Sequence, residues 1–231
     1  MKTLVIIPAY NEELNIKNVV NNLKKNYPQF DYVVVNDGSS DNTSRICHKE
    51  KYNIIDLPVN LGLAGAFQTV LKYADKENYE CAIQFDADGQ HRAEYIQALQ
   101  NEIEKGYDIA IGSRFVTEKK PFSMRMLGSR MIGGAIRLST GKKLTDPTSG
   151  MRMYSKKIIH EFASNINYGP EPDTISFMLK QGASVKDVQV VMDERTAGES
   201  YLNWTKSMLY MLRMLISILF IQNFRKRNRM E

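Results

Sequence analysis

Asp86-Ala87-Asp88 sets two carboxylates two positions apart, with Gly89 and the amide of Gln90 directly behind them. A compact cluster of hard oxygen donors suits a divalent cation such as Mg²⁺ or Mn²⁺. Such ions use one or two carboxylates and take further oxygens from substrate phosphates. The pair ends a short strand-like run beginning near Tyr79, and in open α/β sheets ligands gather at the carboxyl ends of strands. The same residues also read as a strand-to-helix turn in which Asp caps the helix. Neighbouring segments decide between the two readings.

Three further strand ends carry polar chemistry. Pro8-Ala9-Tyr10-Asn11-Glu12 follows the first predicted strand, Asn36-Asp37-Gly38-Ser39 the second and Asn60-Leu61-Gly62 the third. Each alone is ordinary turn chemistry. Together with Asp86 and Asp88 they should line one crevice. An aromatic and a carboxylate serve base and ribose, amides and turn N–H groups serve polar edges, and paired acids serve a metal on a diphosphate. No Gly-x-Gly-x-x-Gly follows the first strand, which argues against a dinucleotide-dependent dehydrogenase.

The elements that position these ends alternate. Strands are expected at 3–7, 31–36, 53–57, 80–85 and 107–111, with helices at 12–25 (Leu14, Val19, Val20 and Leu23 on its apolar side), 41–48, 63–75 and 93–104. Short strands separated by helices imply right-handed crossovers and a mainly parallel sheet in an α/β fold. Beyond residue 112 the rhythm loosens. Loops rich in Gly, Pro and Ser separate a helix at 124–139, a strand at 150–154, a helix at 171–181 and a strand at 184–191, and long loops are where function concentrates. The methionines from Met124 to Met131 read as adaptable core packing or as a groove for a prenyl chain.

The chain has 231 residues, 43% hydrophobic and 25% charged, and a net charge of +5. That is an ordinary globular composition. Much of the excess lies in a tail bearing Arg225, Lys226, Arg227 and Arg229, so the body lacks the spread of cations a nucleic-acid footprint needs. Cys47 and Cys81 are too few for a disulfide framework or zinc site and read as buried thiols. The amino-terminal apolar run is too short for a signal peptide, so a cytosolic setting is expected. His48 and His160 read as surface helix residues, while His91 either caps the next helix or touches the leaving group.

From Met208 to Ile221 runs a 14-residue apolar stretch interrupted by Arg213 and Ser217. A membrane span needs about 20 apolar residues, so a helix lying in the interface or docked on a partner is expected, with Leu209, Leu212, Ile216 and Leu219 as its stripe. The basic run could meet anionic headgroups; a core helix with a solvated tail is the plain alternative. Two segments follow: a catalytic domain over 1–202 and an amphipathic helix with basic tail over 203–231.

Pro-Ala-Tyr-Asn-Glu-Glu, Asn-Asp-Gly-Ser, Asn-Leu-Gly, Asp-Ala-Asp-Gly-Gln-His, Gly-Ser-Arg-Phe and Asp-Pro-Thr-Ser-Gly-Met-Arg resemble family 2 glycosyltransferases of the GT-A fold. The likeness is greatest to polyprenyl-phosphate glycosyltransferases of the dolichyl-phosphate mannose synthase type, and it covers residues 3 to about 202. The resemblance implies that Asp86, Asp88 and Gln90 hold Mg²⁺ or Mn²⁺ on the diphosphate of a nucleotide sugar. Pro8, Tyr10, Glu12 and Asp37 would then hold base and ribose, and Arg195 and Ser200 would close over the diphosphate. Arg125 and Ser129, one helical turn apart, match the family's pair for the lipid phosphate. Arg114 could grip a phosphate in bidentate fashion, and Asp146 either acts as a base or positions its loop.

A lipid monophosphate is largely anionic at neutral pH, with a second pKa of about 6. It needs aiming and charge screening more than a base, and Arg114, Arg125, Arg130, Arg152 and Arg195 are candidate cations. The expectation is an inverting glycosyltransferase moving a hexose, with glucose or N-acetylglucosamine favoured, from a nucleotide sugar to undecaprenyl phosphate. It would work peripherally at the cytoplasmic membrane face in cell-surface glycan synthesis, as a homo-oligomer or with a small membrane-protein partner. The resemblance alone leans toward UDP. A soluble transferase acting on polysaccharide or protein, and a nucleotide-binding module without catalysis, are the alternatives.

Overall fold

The structure is a computed structural model, and it describes residues 1–165, 169–194 and 204–224; the side chains of Arg125 and of residues 204–206 are outside the description. One seven-stranded sheet runs in the order β3-β2-β1-β4-β6-β5-β7. Its strands are β1 (Thr3–Ala9), β2 (Asp31–Asn36), β3 (Ile54–Asp56), β4 (Cys81–Gln84), β5 (Ile109–Ser113), β6 (Arg152–Ser155) and β7 (Val185–Gln189).

Both faces of the sheet are covered, so its central strands are near-continuous apolar runs. In β1, Leu4 and Ile6 face a core shared with α3 (Gly62–Lys76), α5 (Met124–Thr140), α6 (Lys156–Ser164) and α7 (Pro172–Lys180). Val5 and Ile7 face the opposite core with α1 (Ile16–Asn26), α2 (Thr43–Lys49) and α4 (Ile96–Glu104). Cys47 and Cys81 are buried free thiols. His48 and His160 sit exposed on helices, paired with Asp56 and Asp75.

The sheet is parallel except at one strand. β6 pairs antiparallel with β4 on one side and β5 on the other, while β5 and β7 are parallel. The inversion does not scatter the site. β4, β5 and β7 still end at one edge, and β6 starts there, which brings the loop before β6 to the same edge.

Four expectations are corrected. α1 begins at Ile16 because the Glu12 carbonyl closes a turn onto the Asn15 and Ile16 N–H groups; Leu14 is exposed and Ile16 occupies the core in its stead. The helix expected at 41–48 runs instead over Thr43–Lys49, with Asn42 at the cap position and the Asp41 carboxylate accepting the Thr43 N–H at 2.9 Å. α6 was not expected: it starts directly from β6, and Ile158, Ile159 and Phe162 bury one face of it. Between Met124 and Met131 only Met126 is core, while Met124, Leu127 and Met131 are exposed.

The final helix, α8 (Trp204–Leu219), packs along α5 and α7 and sends Met214 and Ile218 into the first core. A Cβ on Gly128 would run into the Met211 thioether, so this glycine lets the two helices close together. Tyr210 and Ser217 donate to Glu171 and Asp173, and the Gln222 amide donates to the Asp173 carbonyl. The expected division after residue 202 falls outside the described residues, and α8 joins the main core rather than standing apart.

Candidate active site

The first three strand ends are tied together by their own polar groups. The Asp37 N–H donates to the Ala9 carbonyl at 2.9 Å, and the buried Asp37 carboxylate accepts the Leu61 N–H at 2.7 Å. Asn11, at φ 56°, accepts the Ser40 N–H at 2.9 Å, using the left-handed conformation that Asn tolerates better than most residues. Gly38 lies so close to the 59–60 backbone that a Cβ would approach the Asn60 nitrogen to 2.7 Å. Pro8 is half-buried at the end of β1, Tyr10 is exposed, and a Glu12 carboxylate oxygen accepts from the Asn15 amide at 2.8 Å. These segments meet as expected.

Asp86 joins them because β4 lies beside β1, with Ile6 opposite Gln84 and the Phe85 N–H on the Ile6 carbonyl. One Asp86 oxygen accepts from the Gln84 amide at 3.1 Å. Asp88 accepts the Gln90 N–H at 3.0 Å, and the Gln90 amide nitrogen donates to the Asp193 carbonyl at 3.4 Å, leaving Oε1 as its acceptor. Arg92 forms a two-point ion pair with Asp193, with Nε at 2.9 Å from each oxygen; that hydrogen bond holds the Asp193 carboxyl below its ordinary range. Among the described residues no three His, Cys, Asp or Glu side chains form a metal cage. Two carboxylates and an amide oxygen instead fit an ion that keeps waters and substrate phosphate oxygens among its ligands, as Mg²⁺ and Mn²⁺ do.

Arg114 sits at the end of β5 and meets Asp146 from the loop before β6. Its Nε and Nη2 reach the two carboxylate oxygens at 2.7 and 3.1 Å, and Thr148 donates to the same carboxylate at 3.2 Å. Asp146 is fully buried. With both oxygens engaged, the positioning role is favoured over the base: Asp146 orients the guanidinium. The loop itself is pinned by Ser149 donating to the Gly112 carbonyl and by Thr145 donating twice to Asp187, both at 2.7 Å. Burial pushes the Asp187 carboxyl up, against those two hydrogen bonds.

Beside this pair opens a cavity of about 530 Å³ lined by Lys119, Lys120, Arg130, Arg137 and Lys143, with Glu118 the one acid in its wall. Lys120 donates to the buried Ser129 hydroxyl at 3.0 Å, and burial pushes its ammonium down from its ordinary value. The Phe115 ring carries both Arg114 and Lys120, at 5.1 and 5.4 Å from its centroid. Ser129 is therefore in a cationic setting, as expected. Arg125 lies in the first turn of α5, but its side chain lies outside the described residues, as do Arg195 and Ser200 entirely.

Arg152 is a correction. It is buried, and it donates to the Pro170 and Pro147 carbonyls at 2.7 and 2.8 Å, so it braces two loops rather than meeting substrate. Sequence reasoning missed Lys120, Arg137 and Lys143; the Lys119-Lys120 pair after Gly-Ser-Arg-Phe was the available signal. His91 does not cap the next helix, where Arg92 holds the cap position. It is buried, and its Nδ1 accepts the Asp86 N–H at 2.9 Å.

A doubly covered α/β sheet with paired acids at its carboxyl edge and a second, cationic pocket beside them suits an enzyme that brings two phosphate-bearing substrates together. The sequence profile described as glycosyl transferase family 2 matches residues 4–162, and the chain belongs to that family; it is a glycosyltransferase. It is 27% identical over 215 residues to the polyprenol monophosphomannose synthase of Mycolicibacterium smegmatis, covering 87% of this chain and 81% of the relative. Identity is 35% over 176 residues to the UDP-N-acetylglucosamine–dolichyl-phosphate N-acetylglucosaminyltransferase of Methanococcus voltae, covering 67% and 70%. The fold is that of glucosyl-3-phosphoglycerate synthase from Mycobacterium tuberculosis, solved with Mn²⁺, UDP and glucosyl-3-phosphoglycerate, at TM-score 0.69 and 18% identity over 96% of this chain and 79% of that one. The GT-A fold and the likeness to the polyprenyl-phosphate branch are thus both borne out.

Proposed function

We propose that this chain is an inverting glycosyltransferase that moves a hexose from a nucleotide sugar, UDP-linked by preference, to a polyprenyl phosphate at the cytoplasmic membrane face. The observation that carries the reading is the adjacency of two unlike pockets at one sheet edge. Asp86, Asp88 and the turn groups form an acidic and amide-rich side, and a cavity with five cations forms the other. An acceptor phosphate fits the second, and the relatives named above act on polyprenol and dolichyl phosphates.

Pro8, Tyr10, Glu12 and Asp37 hold base and ribose. Asp86, Asp88 and the Gln90 oxygen would hold Mg²⁺ or Mn²⁺, which when bound neutralises charge developing on the leaving diphosphate. Arg114, aimed by Asp146, and Lys120 with Ser129 screen and orient the acceptor phosphate, with Arg125 beside them. Since that phosphate is already anionic at neutral pH, the full engagement of Asp146 leaves nothing missing. Arg195 and Ser200, outside the described residues, are assigned to the diphosphate on the family likeness alone.

Membrane contact is proposed through α8 together with α5. The segment Ser207–Phe224 is long and apolar enough to cross a membrane by length and composition, yet its α-helix has 16 residues, roughly 24 Å against a hydrocarbon core of about 30 Å. Tyr210, Ser217 and Gln222 are bonded to Glu171 and Asp173 at the start of α7, while Arg213 is exposed. Met208, Leu212 and Ile216 form an exposed stripe at i, i+4 spacing. Met124, Leu127 and Met131 form another on α5, beside the Gly128–Met211 contact. Phe122 at 93% exposure and Leu138 at 81% extend it, a surface suited to lying in the interface.

The test is titration with a short-chain prenyl monophosphate. Saturable binding that survives chelation of divalent metal and is lost in Lys120→Glu is expected. Absence of saturable binding contradicts the acceptor assignment.

A further inference from the structure

The Asp86 N–H points at a ring nitrogen rather than at a backbone carbonyl. It donates to His91 Nδ1 at 2.9 Å, so that nitrogen carries no proton and the neutral ring holds its hydrogen on Nε2. Nε2 in turn stands 3.5 Å from Asp86 Oδ2. One imidazole therefore addresses Asp86 twice, accepting a hydrogen bond from its main chain and setting Nε2 close to its carboxylate, beyond hydrogen-bond geometry. The side chain of His91 is 3% exposed.

The ring is itself confined. It lies edge-on to Phe85 with centroids 5.5 Å apart, and His91 pairs with Met192 in an isolated bridge. Gly150, from the Asp-Pro-Thr-Ser-Gly loop, closes the other side: a Cβ there would come within 2.8 Å of Asp86 Oδ2 and 3.5 Å of His91 Cε1. Main-chain partners of a ligand carboxylate set its orientation as much as its own rotamer does. Outer partners of this kind typically alter metal affinity by about 10- to 100-fold.

We propose that His91 is a positioning residue that fixes the Asp86 carboxylate for the divalent ion of the donor diphosphate; this rests on the metal reading given above. Its two contacts have separable roles. The Nδ1 acceptor satisfies a polar group of the strand end, and the Nε2 edge, 3.5 Å from Oδ2, limits where that oxygen can turn and can close on it when the ion is bound, while adding no charge to the site.

Two near-isosteres separate them. His91→Asn places an amide oxygen near the Nδ1 position and has nothing at Nε2; His91→Gln reaches the Nε2 position and leaves the Asp86 N–H without its acceptor. Mn²⁺ binding to the full chain with UDP held fixed is read by the electron paramagnetic resonance of free Mn²⁺, and thermal melting is read without metal. His91→Asn should melt close to wild type and bind Mn²⁺ about tenfold more weakly. His91→Gln should melt a few degrees lower and keep its Mn²⁺ affinity within about threefold, a smaller loss than the orienting contact carries. If both variants bind Mn²⁺ as wild type does, or lose affinity only in step with melting temperature, His91 is a structural ring and the inference is overturned. If wild type itself shows no UDP-dependent Mn²⁺ binding, the metal reading falls and the inference with it, a result distinct from indifferent variants on a binding-competent wild type.

Discussion

The two sides of the sheet edge are built by different means. On the donor side, parallel strands deliver Ala9, Asn36 and Phe85 to one line, and short main-chain bonds such as Asp37 to Ala9 and Leu61 to Asp37 fix the turns. On the acceptor side no strand end suffices. A buried ion pair, Arg114–Asp146, and two threonine and serine anchors hold a loop that an antiparallel strand has returned to the edge. The first side presents turn N–H groups and acids, which suit a nucleotide diphosphate with its metal. The second presents cations and borders exposed apolar helices, which suit a phosphate on a hydrocarbon chain. On the proposed reading, a polar donor and an amphipathic acceptor account for this division.

The division can be broken at each side. Asp88→Asn should lower transfer by about 10³-fold, since charge stabilisation at a leaving group contributes several kcal/mol, while the urea midpoint stays at the wild-type value. Near-normal activity in a purified assay would remove the metal from the donor side. Next in size, Leu212→Glu with Ile216→Glu should cut sedimentation with anionic vesicles by about 100-fold in partition coefficient, as an aliphatic side chain only partly buried in the interface contributes roughly 1.4 kcal/mol, below the 1.5–3 kcal/mol of full burial. Both residues are exposed, so the fold should survive; deleting 204–231 would be a poorer test because Met214 and Ile218 belong to the core. Unchanged partitioning counts against α8 as the membrane face.

Lys120→Met sharpens the contrast. The KM for the lipid phosphate should rise about tenfold, one charge-assisted hydrogen bond's worth, with the KM for the nucleotide sugar unchanged. Equal rises in both would mean that the cationic cavity serves the donor. The smallest effect concerns Asp187. Burial raises its carboxyl, so the folded chain binds a proton that the unfolded chain has released, and stability declines as pH rises through the folded value. Asp187→Asn should gain on wild type as pH rises above the ordinary carboxylate value of about 4, read from urea midpoints; the opposite slope would show that the Thr145 hydrogen bonds outweigh burial.

These halves were also unequally legible in the sequence. Parallel strands buried on both faces are plain apolar runs, such as Leu4 to Ile7, and the polar residues after each are conspicuous, so the donor side could be read segment by segment. The acceptor side depends on strand direction. Four residues of β6 say nothing of their antiparallel pairing, and that pairing decides that Arg152 is buried under two loops while Asp146 meets Arg114. α6 followed β6 without the turn that usually announces a helix, although its apolar spacing was present. Lys120 carried no signal of its own, because only the return of α5 beside it makes the cavity. Leu14 was misplaced because the turn at Glu12 delays α1 by four residues.

The most direct measurement supplies undecaprenyl phosphate with a panel of labelled UDP- and GDP-sugars, with and without Mn²⁺, and partitions the product between water and organic solvent. The account predicts label in the organic phase from a UDP-hexose, dependent on both metal and lipid phosphate. Label transferred only into water-soluble product, or transfer indifferent to the lipid phosphate, would contradict it.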